Sequence, residues 1–429
     1  VKLLLIMNNK KIILGLAAGV VLSMFNIDLV QAGERHVAEA PAATTVYMEN
    51  KLPARDSKTV SFKDRIQAIL KEAAAKETAK KQVAYHYGQL MHKMPVTVKD
   101  EGGTLLFSDS PEYVKQNGVL YRDTVSGEAR VLYYHLNDTA EPKKVAVVLE
   151  NMYDGLNSIK ITRGGSGRPS ADYLTVGKET QLNYFGEPME KSMLLLKHQA
   201  RLLLPQMDNI VLQPGDLVCG VYDFTAKYPV KVTVLLTAVD DDIIAAAQKL
   251  PVLPRDEVAL RGTFKGMNRL ITVSGVYDAA KDGAGYIPIG DEYNDKFRYG
   301  IDATDGTPTQ NVGNYGILYQ LKVPIAANSA VQSYLSPLGG VYAGAVLANV
   351  DNEAVKVIPT PYGTICFGDK TREMTPAAEA AWKKGTWRPD EQTELADLGI
   401  YPAGRTIYFE YSPPGASNLP VNIIFVPAQ

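Results

Sequence analysis

The sequence predicts a mainly β protein: two tandem antiparallel β-sandwich domains with an N-terminal helical segment. Three observations carry this. Beyond Lys99 the chain is a succession of short runs rich in Val, Ile, Leu and Tyr, broken by Gly, Asn, Asp and Pro. There is no sustained alternation of strand-like and helix-like runs, as a parallel α/β sheet would require. Finally, LQPGDLVCGVYDFTAKYPVKVTVLL (212–236) and IYPAGRTIYFEYSPPGASNLPVNIIFV (400–426) match in order and kind, which is the mark of a repeated unit.

The elements follow in chain order. Lys2, Lys10 and Lys11, the apolar run IILGLAAGVVLSMF, and small residues at Val30 and Ala32 read as a signal peptide over 1–32. The expectation is therefore a secreted or cell-envelope protein that spans no membrane after cleavage. Residues 33–60, rich in Ala, Pro and Thr, read as a flexible tether. Over 61–95 the pattern is helical: Glu72–Lys76 and Glu77–Lys81 stand four apart, and Val83, Tyr87, Leu90 and Met94 make one apolar face.

The first β-sandwich domain is expected over 96–240, on the runs GVLYRDTV, EARVLYYHLN, KKVAVVLEN, NSIKITR and KVTVLLTAV. Within it, MEKSMLLLKHQA (189–200) reads as a helix carrying His198. Residues 241–257 read as a helix and Pro-rich linker: Asp240, Asp241 and Asp242 can cap IIAAAQKL, and PVLPRD is stiff. The second β-sandwich domain follows over 258–429, with a helical insertion near 371–392 that Thr375 caps and Gly385 ends. Two further matches support the repeat, NGVLYRDTV with NYGILYQLKV and SIKITRGGSG with QSYLSPLGGVYAG. The only cysteines, Cys219 and Cys366, read as buried thiols in strands, with a cross-domain bridge as the competing reading.

The combination of EYVKQNGVLYRD, RGGSGRPSADYL, GNYGILYQLKVP, SPLGGVYAGAV and PPGASNLPVNIIF resembles an uncharacterised family of secreted bacterial two-domain β-sandwich proteins, some of whose members carry a copper-amine-oxidase N-terminal-type domain. The likeness covers roughly residues 100–429. It implies the two-domain β fold and an envelope location, and it implies no catalytic residues.

A formal net charge of −2 offers no basic field for nucleic acid. The glycine-rich stretch ITRGGSGRPSADYL invites a nucleotide reading, but each version lacks a required residue. A Walker loop needs Lys-Ser/Thr after Gly167, where Arg168 and Pro169 stand; a dinucleotide fingerprint needs glycine at Ser170; a nucleophile elbow around Ser166 needs glycine at Arg168. What survives is an anion site at Arg163, Gly164, Gly165, Arg168 and Ser170, with Ser170 as helix N-cap. The alternative is a tight turn whose arginines pair with local acids.

Asn314-Tyr315 invites a copper amine oxidase reading, but Asn311 and Gly316 break the motif. All five histidines (His36, His86, His92, His135, His198) precede residue 200 without a copper set. No zinc cage is recognisable, and Asp302 and Asp305 read as a turn rather than a calcium loop. No catalytic set, metal or cofactor is therefore assigned. The tryptophans Trp382 and Trp387, with Arg388, could stack on a sugar or bind a partner, or could pin the inserted helix to the sheet. The expected function is a non-catalytic binding or scaffold protein whose partner is a cell-envelope protein or glycan. The alternative is a carbohydrate-active extracellular protein, either a glycan-binding module or a glycoside hydrolase with unidentified carboxylates.

Overall fold

A computed structural model describes residues 91–186, 188–257, 260–338, 340–351, 353–365 and 396–428. The expected signal peptide, the tether, most of the helical segment, Cys366, and the helical insertion with Trp382, Trp387 and Arg388 lie outside the described residues.

The β-rich runs form strands, as their branched and aromatic content requires. The chain begins with β1 (His92–Lys93), β2 (Val96–Glu101), β3 (Thr104–Ser108) and β4 (Tyr113–Val114). The 20-residue β5 (Gly118–Asn137), β6 (Lys143–Asn151) and β7 (Asn157–Ser166) follow, then helix α1 (Tyr173–Phe185). Next come β8 (Lys191–Leu195), β9 (Ala200–Leu202), β10 (Val211–Leu212), the 22-residue β11 (Leu217–Ala238) and α2 (Ile243–Lys249). The second half contains β12 (Arg261–Lys265), β13 (Asn268–Val273), α3 (Ala279–Asp282), β14 (Gly285–Ile289), β15 (Arg298–Asp302) and β16 (Thr307–Asn311). It closes with β17 (Leu318–Pro324), β18 (Val331–Pro337), β19 (Gly340–Val350), β20 (Glu353–Ile365), β21 (Ala396–Tyr401), β22 (Thr406–Tyr411) and β23 (Val421–Pro427).

Three local expectations need correction. Residues 92–93, at the end of the expected helical segment, are extended: Pro95 disfavours helix at Met94, and Met94 buries its side chain against Gly285 of β14. The runs GVLYRDTV and EARVLYYHLN are one strand rather than two. Gly127, at φ +75°, lets the intervening Ser126-Gly127 pass as an irregularity where the β11 register shifts between Ala226 and Val230. The run 189–200 is not a helix but contains β8, paired antiparallel to β7 from Asn157–Leu195 to Ile161–Lys191. A short apolar run does not distinguish helix from strand by periodicity, and here the available partner decides. By contrast, α2 is capped as expected, with Asp242 accepting from Ile244 N and Ala245 N at 2.9 and 3.1 Å.

The two halves repeat one pairing pattern. In the first, 217–226 of β11 lies between 127–136 of β5 and β7, while 230–238 lies between the start of β5 and β6. In the second, β22 lies between β17 and β19, and β23 lies between β14 and β18, all antiparallel. Residues 217–224 and 406–411 thus hold equivalent places. The other two sequence matches slip by a strand: the counterpart of 118–125 is β14 rather than β17, and that of β7 is β19 rather than β18. The β15–β16 hairpin stands between β14 and β17, so what β5 crosses in one strand is divided in two. The long strands keep the first half continuous, whereas the second half separates into a five-stranded and a six-stranded sheet.

The halves also exchange arms. Val96 faces Val273, Glu101 faces Asn268, Thr104 faces Lys265 and Ser108 faces Arg261. One antiparallel register therefore runs along 96–108 and 261–273 as both segments pass between the six-stranded and twelve-stranded sheets. Gly102 (φ +76°) and Gly266 (φ +74°) make the passage, and the amides of Gly266 and Met267 both donate to Gly103 O. β1 pairs with β14, and the Pro-rich linker returns the exchange through a parallel bridge from Val252 to Val119. β2 thus lies in the first region by sequence but pairs with the second, and β12 does the reverse. The core follows suit: Leu105, Phe107, Leu132, Tyr184, Phe185 and Val221 pack in one buried cluster with Ile271, Tyr319, Phe409 and Phe425.

Candidate functional site

The glycine loop is built for close packing. A Cβ on Gly164 would stand 2.1 Å from the Tyr222 ring, one on Gly165 2.4 Å from Tyr184 N, and one on Gly167 2.3 Å from Val176 O. The glycines therefore let Tyr222 and α1 approach the backbone of β7. Ser170 is not the N-cap. Its backbone still exchanges hydrogen bonds with Leu217, so the helix starts two residues later, with Asp172 accepting from Thr175 N at 3.2 Å.

Both arginines of this loop meet carboxylates. Arg168 pairs with Glu179 at 2.7 Å on the surface, where its side chain is 87% exposed and the pair is worth little. Arg163 is held far more closely. Its Nη1 donates to Glu410 Oε2 at 2.6 Å, its Nε to Tyr184 O at 2.8 Å, and its guanidinium lies 4.3 Å from the Tyr184 ring centroid. The acid is not local but comes from β22 of the second half, 247 positions away.

Behind Arg163 stands a pair that sequence reasoning missed. Arg130 is buried, with its Nε and Nη2 on the two oxygens of Asp223 at 2.6 and 2.8 Å. Nη1 donates to Met267 O and Gly316 O at 2.7 and 3.0 Å, and Nη2 also reaches Asn268 Oδ1 at 3.2 Å, so all five N–H groups are used. Tyr184 donates to Asp223 Oδ2 at 2.9 Å. The available signal was a charge inside each strand-forming run, Asp223 in LVCGVYDF and Arg130 in EARVLYYHL.

The chemistry-bearing groups of the first half are enclosed. Ser108 Oγ lies 2.8 Å from His135 Nε2, and His135 Nδ1 lies 2.8 Å from the Pro111 carbonyl. The carbonyl can only accept, so Nδ1 carries the proton and Nε2 accepts from the serine. Both residues are fully buried, and burial holds the imidazole down at about 4. Cys219 is a buried free thiol, and burial pushes it up to about 12, so it is inert as a nucleophile.

Nearby, Asp256 Oδ2 accepts from Glu112 N at 2.8 Å, Asp256 N donates to Ser110 Oγ at 2.9 Å, and that hydroxyl donates to Asp256 Oδ1 at 3.2 Å. Burial, and then the Asp256 carboxylate, raise Glu112 to about 7. The folded state therefore retains a proton that the unfolded chain releases above its ordinary value of 4.5. This contribution to stability is full at low pH and is lost as pH rises through 7. Glu112→Gln is expected to match the wild-type melting temperature at pH 5 and exceed it at pH 8; equal midpoints at both pH values would refute the raised value.

Among the described residues no group of three or more His, Cys, Asp or Glu side chains stands together to hold a metal. Asp302 pairs instead with Arg261 at 2.9 Å, and Asp305 accepts from Thr307.

The outer surface carries a different feature. The path β8-β7-β11-β5-β3-β12-β15-β16 is hydrogen-bonded throughout, and among the described residues neither β8 nor β16 pairs with a further strand. At the β16 end, Pro308 blunts the edge, although Tyr299 and Ile301 are exposed beside it. At the β8 end no proline intervenes. Leu194 and Leu196 are 55% and 63% exposed, beside the exposed Met152, Tyr153 and Leu156. Asn151 Nδ2 donates to Leu195 O, Leu196 O and Gly155 O, fixing the 152–156 loop against the end of β8. Tyr153 stacks on Tyr228 at 3.9 Å, and Lys197 pairs with Asp154 at 2.8 Å. This is a pre-formed apolar patch along a strand edge that no other described strand pairs.

No family model and no curated protein matches the chain. Among solved structures it is weakly similar to the 7S globulin of Momordica charantia, at 10% identity and a TM-score of 0.12, covering 77% of this chain and 84% of that one. It is as weakly similar to the 11S globulin from Wrightia tinctoria, at 9% identity and a TM-score of 0.11, covering 78% of this chain and 84% of that one. Likenesses at this level carry no argument about fold or function.

Proposed function

We propose that the chain is a non-catalytic, secreted or cell-envelope binding protein, and that the free edge of β8 is its docking element. The observation that carries this reading is the β8 edge, unpaired among the described residues, with Leu194 and Leu196 exposed beside Met152, Tyr153 and Leu156. An extended segment added to such an edge gains main-chain hydrogen bonds, and alternate side chains supply selectivity. Lys191 at the start of β8 favours a partner strand with apolar alternate positions and an acidic flank. The signal-peptide reading and the resemblance to a secreted family point to a partner in the envelope.

A photo-crosslinking residue at Leu194 is expected to capture one envelope protein, while the same residue at Ile400, exposed on β21, captures none. Burying a leucine is worth roughly 1.5–3 kcal/mol, so Leu194→Lys with Leu196→Lys should cut capture at a neighbouring position more than about tenfold. Equal capture from both probes, or capture indifferent to the lysines, refutes the edge as the docking element.

A further inference from the structure

We propose that the outer face of the six-stranded sheet binds one neutral sugar residue. Directly facing strand residues share a sheet face. Two adjacent rows therefore lie together, Leu270–Gln320–Glu410 and Lys322–Tyr408–Asn349. Between them is a cavity of about 240 Å³ lined by Leu270, Gln320, Asn349, Tyr408 and Glu410.

Each group narrows the ligand. The Glu410 carboxylate is fixed by Arg163 on one oxygen at 2.6 Å and by Gln320 Nε2 on the other at 3.2 Å. It is thus oriented, and its charge is offset by Arg163. An anion would meet this carboxylate, and a cation would meet the Arg163 guanidinium behind it and the Lys322 ammonium on the same face. Asn349 Oδ1 is a buried acceptor with no hydrogen-bond partner among the described residues, so the cavity lacks a donor. A purely apolar ligand would leave that acceptor unsatisfied. Tyr408 and Leu270, both half-buried, offer aromatic and aliphatic surface beside these polar groups. A sugar ring combines an apolar C–H face with hydroxyls that both donate and accept, which is the combination these residues call for. The face is separate from the β8 edge, and the fate of one assignment does not decide the other.

Titration calorimetry of the full chain against cellohexaose, chitohexaose and maltohexaose, each with its monosaccharide, tests the assignment. At least one hexasaccharide is expected to bind with Kd of about 1 mM or tighter. A match from the monosaccharide would identify a free-sugar site, and a requirement for the oligomer an envelope-glycan site. Tyr408→Ala and Asn349→Leu should each weaken binding about tenfold or more at unchanged circular dichroism, while Tyr408→Phe stays within about threefold. Leu194→Lys should bind as the wild type does. No binding to any of the three hexasaccharides up to about 10 mM, or binding that survives both Tyr408→Ala and Asn349→Leu, overturns it.

Discussion

A chain nicked after Asp240 is expected to remain one particle in native size-exclusion chromatography and to separate only in denaturant. Asp240 lies in an exposed turn after β11, at the position where sequence composition ends the first domain. In a string of independent domains such a cut would release two folded pieces. Here each fragment holds strands that belong to the other's sheets. Residues before the nick contribute Met94, Leu105, Phe107, Leu132, Tyr184, Phe185 and Val221 to the core cluster of the second half. At roughly 1.5–3 kcal/mol apiece, these seven side chains supply on the order of 10–20 kcal/mol, before the shared ladder is counted. Residues 91–240 and 241–428 produced separately should each lack cooperative unfolding, since β3 loses β12 in one and β13 loses β2 in the other. Mixing should restore the transition. Separation of the nicked fragments without denaturant would show that the exchange does not bind the halves.

Arg130→Ala is expected to cost about 3–5 kcal/mol in urea-induced unfolding, because it takes from the buried Asp223 carboxylate its two-pronged guanidinium partner. It also frees the carbonyls of Met267 and Gly316, which lie at the crossing of the two arms. Asp223→Ala should cost about as much, for the mirror-image reason. Arg130→Met with Asp223→Leu, which removes both charges and keeps apolar volume, should recover most of the loss. A single-substitution cost below about 1 kcal/mol, or a double variant as unstable as the two singles added, would refute this account of the pair.

Much of the fold was readable because alternation and turn residues are local. The β-character of the chain, the Asp242 cap of α2, and the equivalence of 217–224 with 406–411 all follow from neighbouring residues. The failures have physical sources as well. MLLL in 189–200 suits a strand or a helix equally, and only β7, some 30 residues earlier, settles it. Ser170 and Asp172 are both good caps, and Ser170 is lost to helix capping because Leu217 holds its backbone. Arg163 showed charge and a glycine neighbourhood, but its partner Glu410 comes from another sheet, and Arg130 meets Asp223 from a neighbouring strand 93 positions on. The arm exchange left no local trace, since β2 and β12 look the same whichever neighbour they take. The sheet-face cavity was hidden for a similar reason: Leu270, Gln320, Asn349 and Tyr408 come from four strands that meet only in the fold.

The arm exchange also sets an order of events during translation. Val96 leaves the ribosome well before Val273, the residue it must face. At about 5–20 residues per second the interval is roughly ten to thirty seconds. Throughout it β2 waits without the strand it pairs with, and β3 waits beside it for Arg261–Lys265. The growing chain therefore cannot complete its first half and move on to its second, because the nascent first half is finished only by residues made after it.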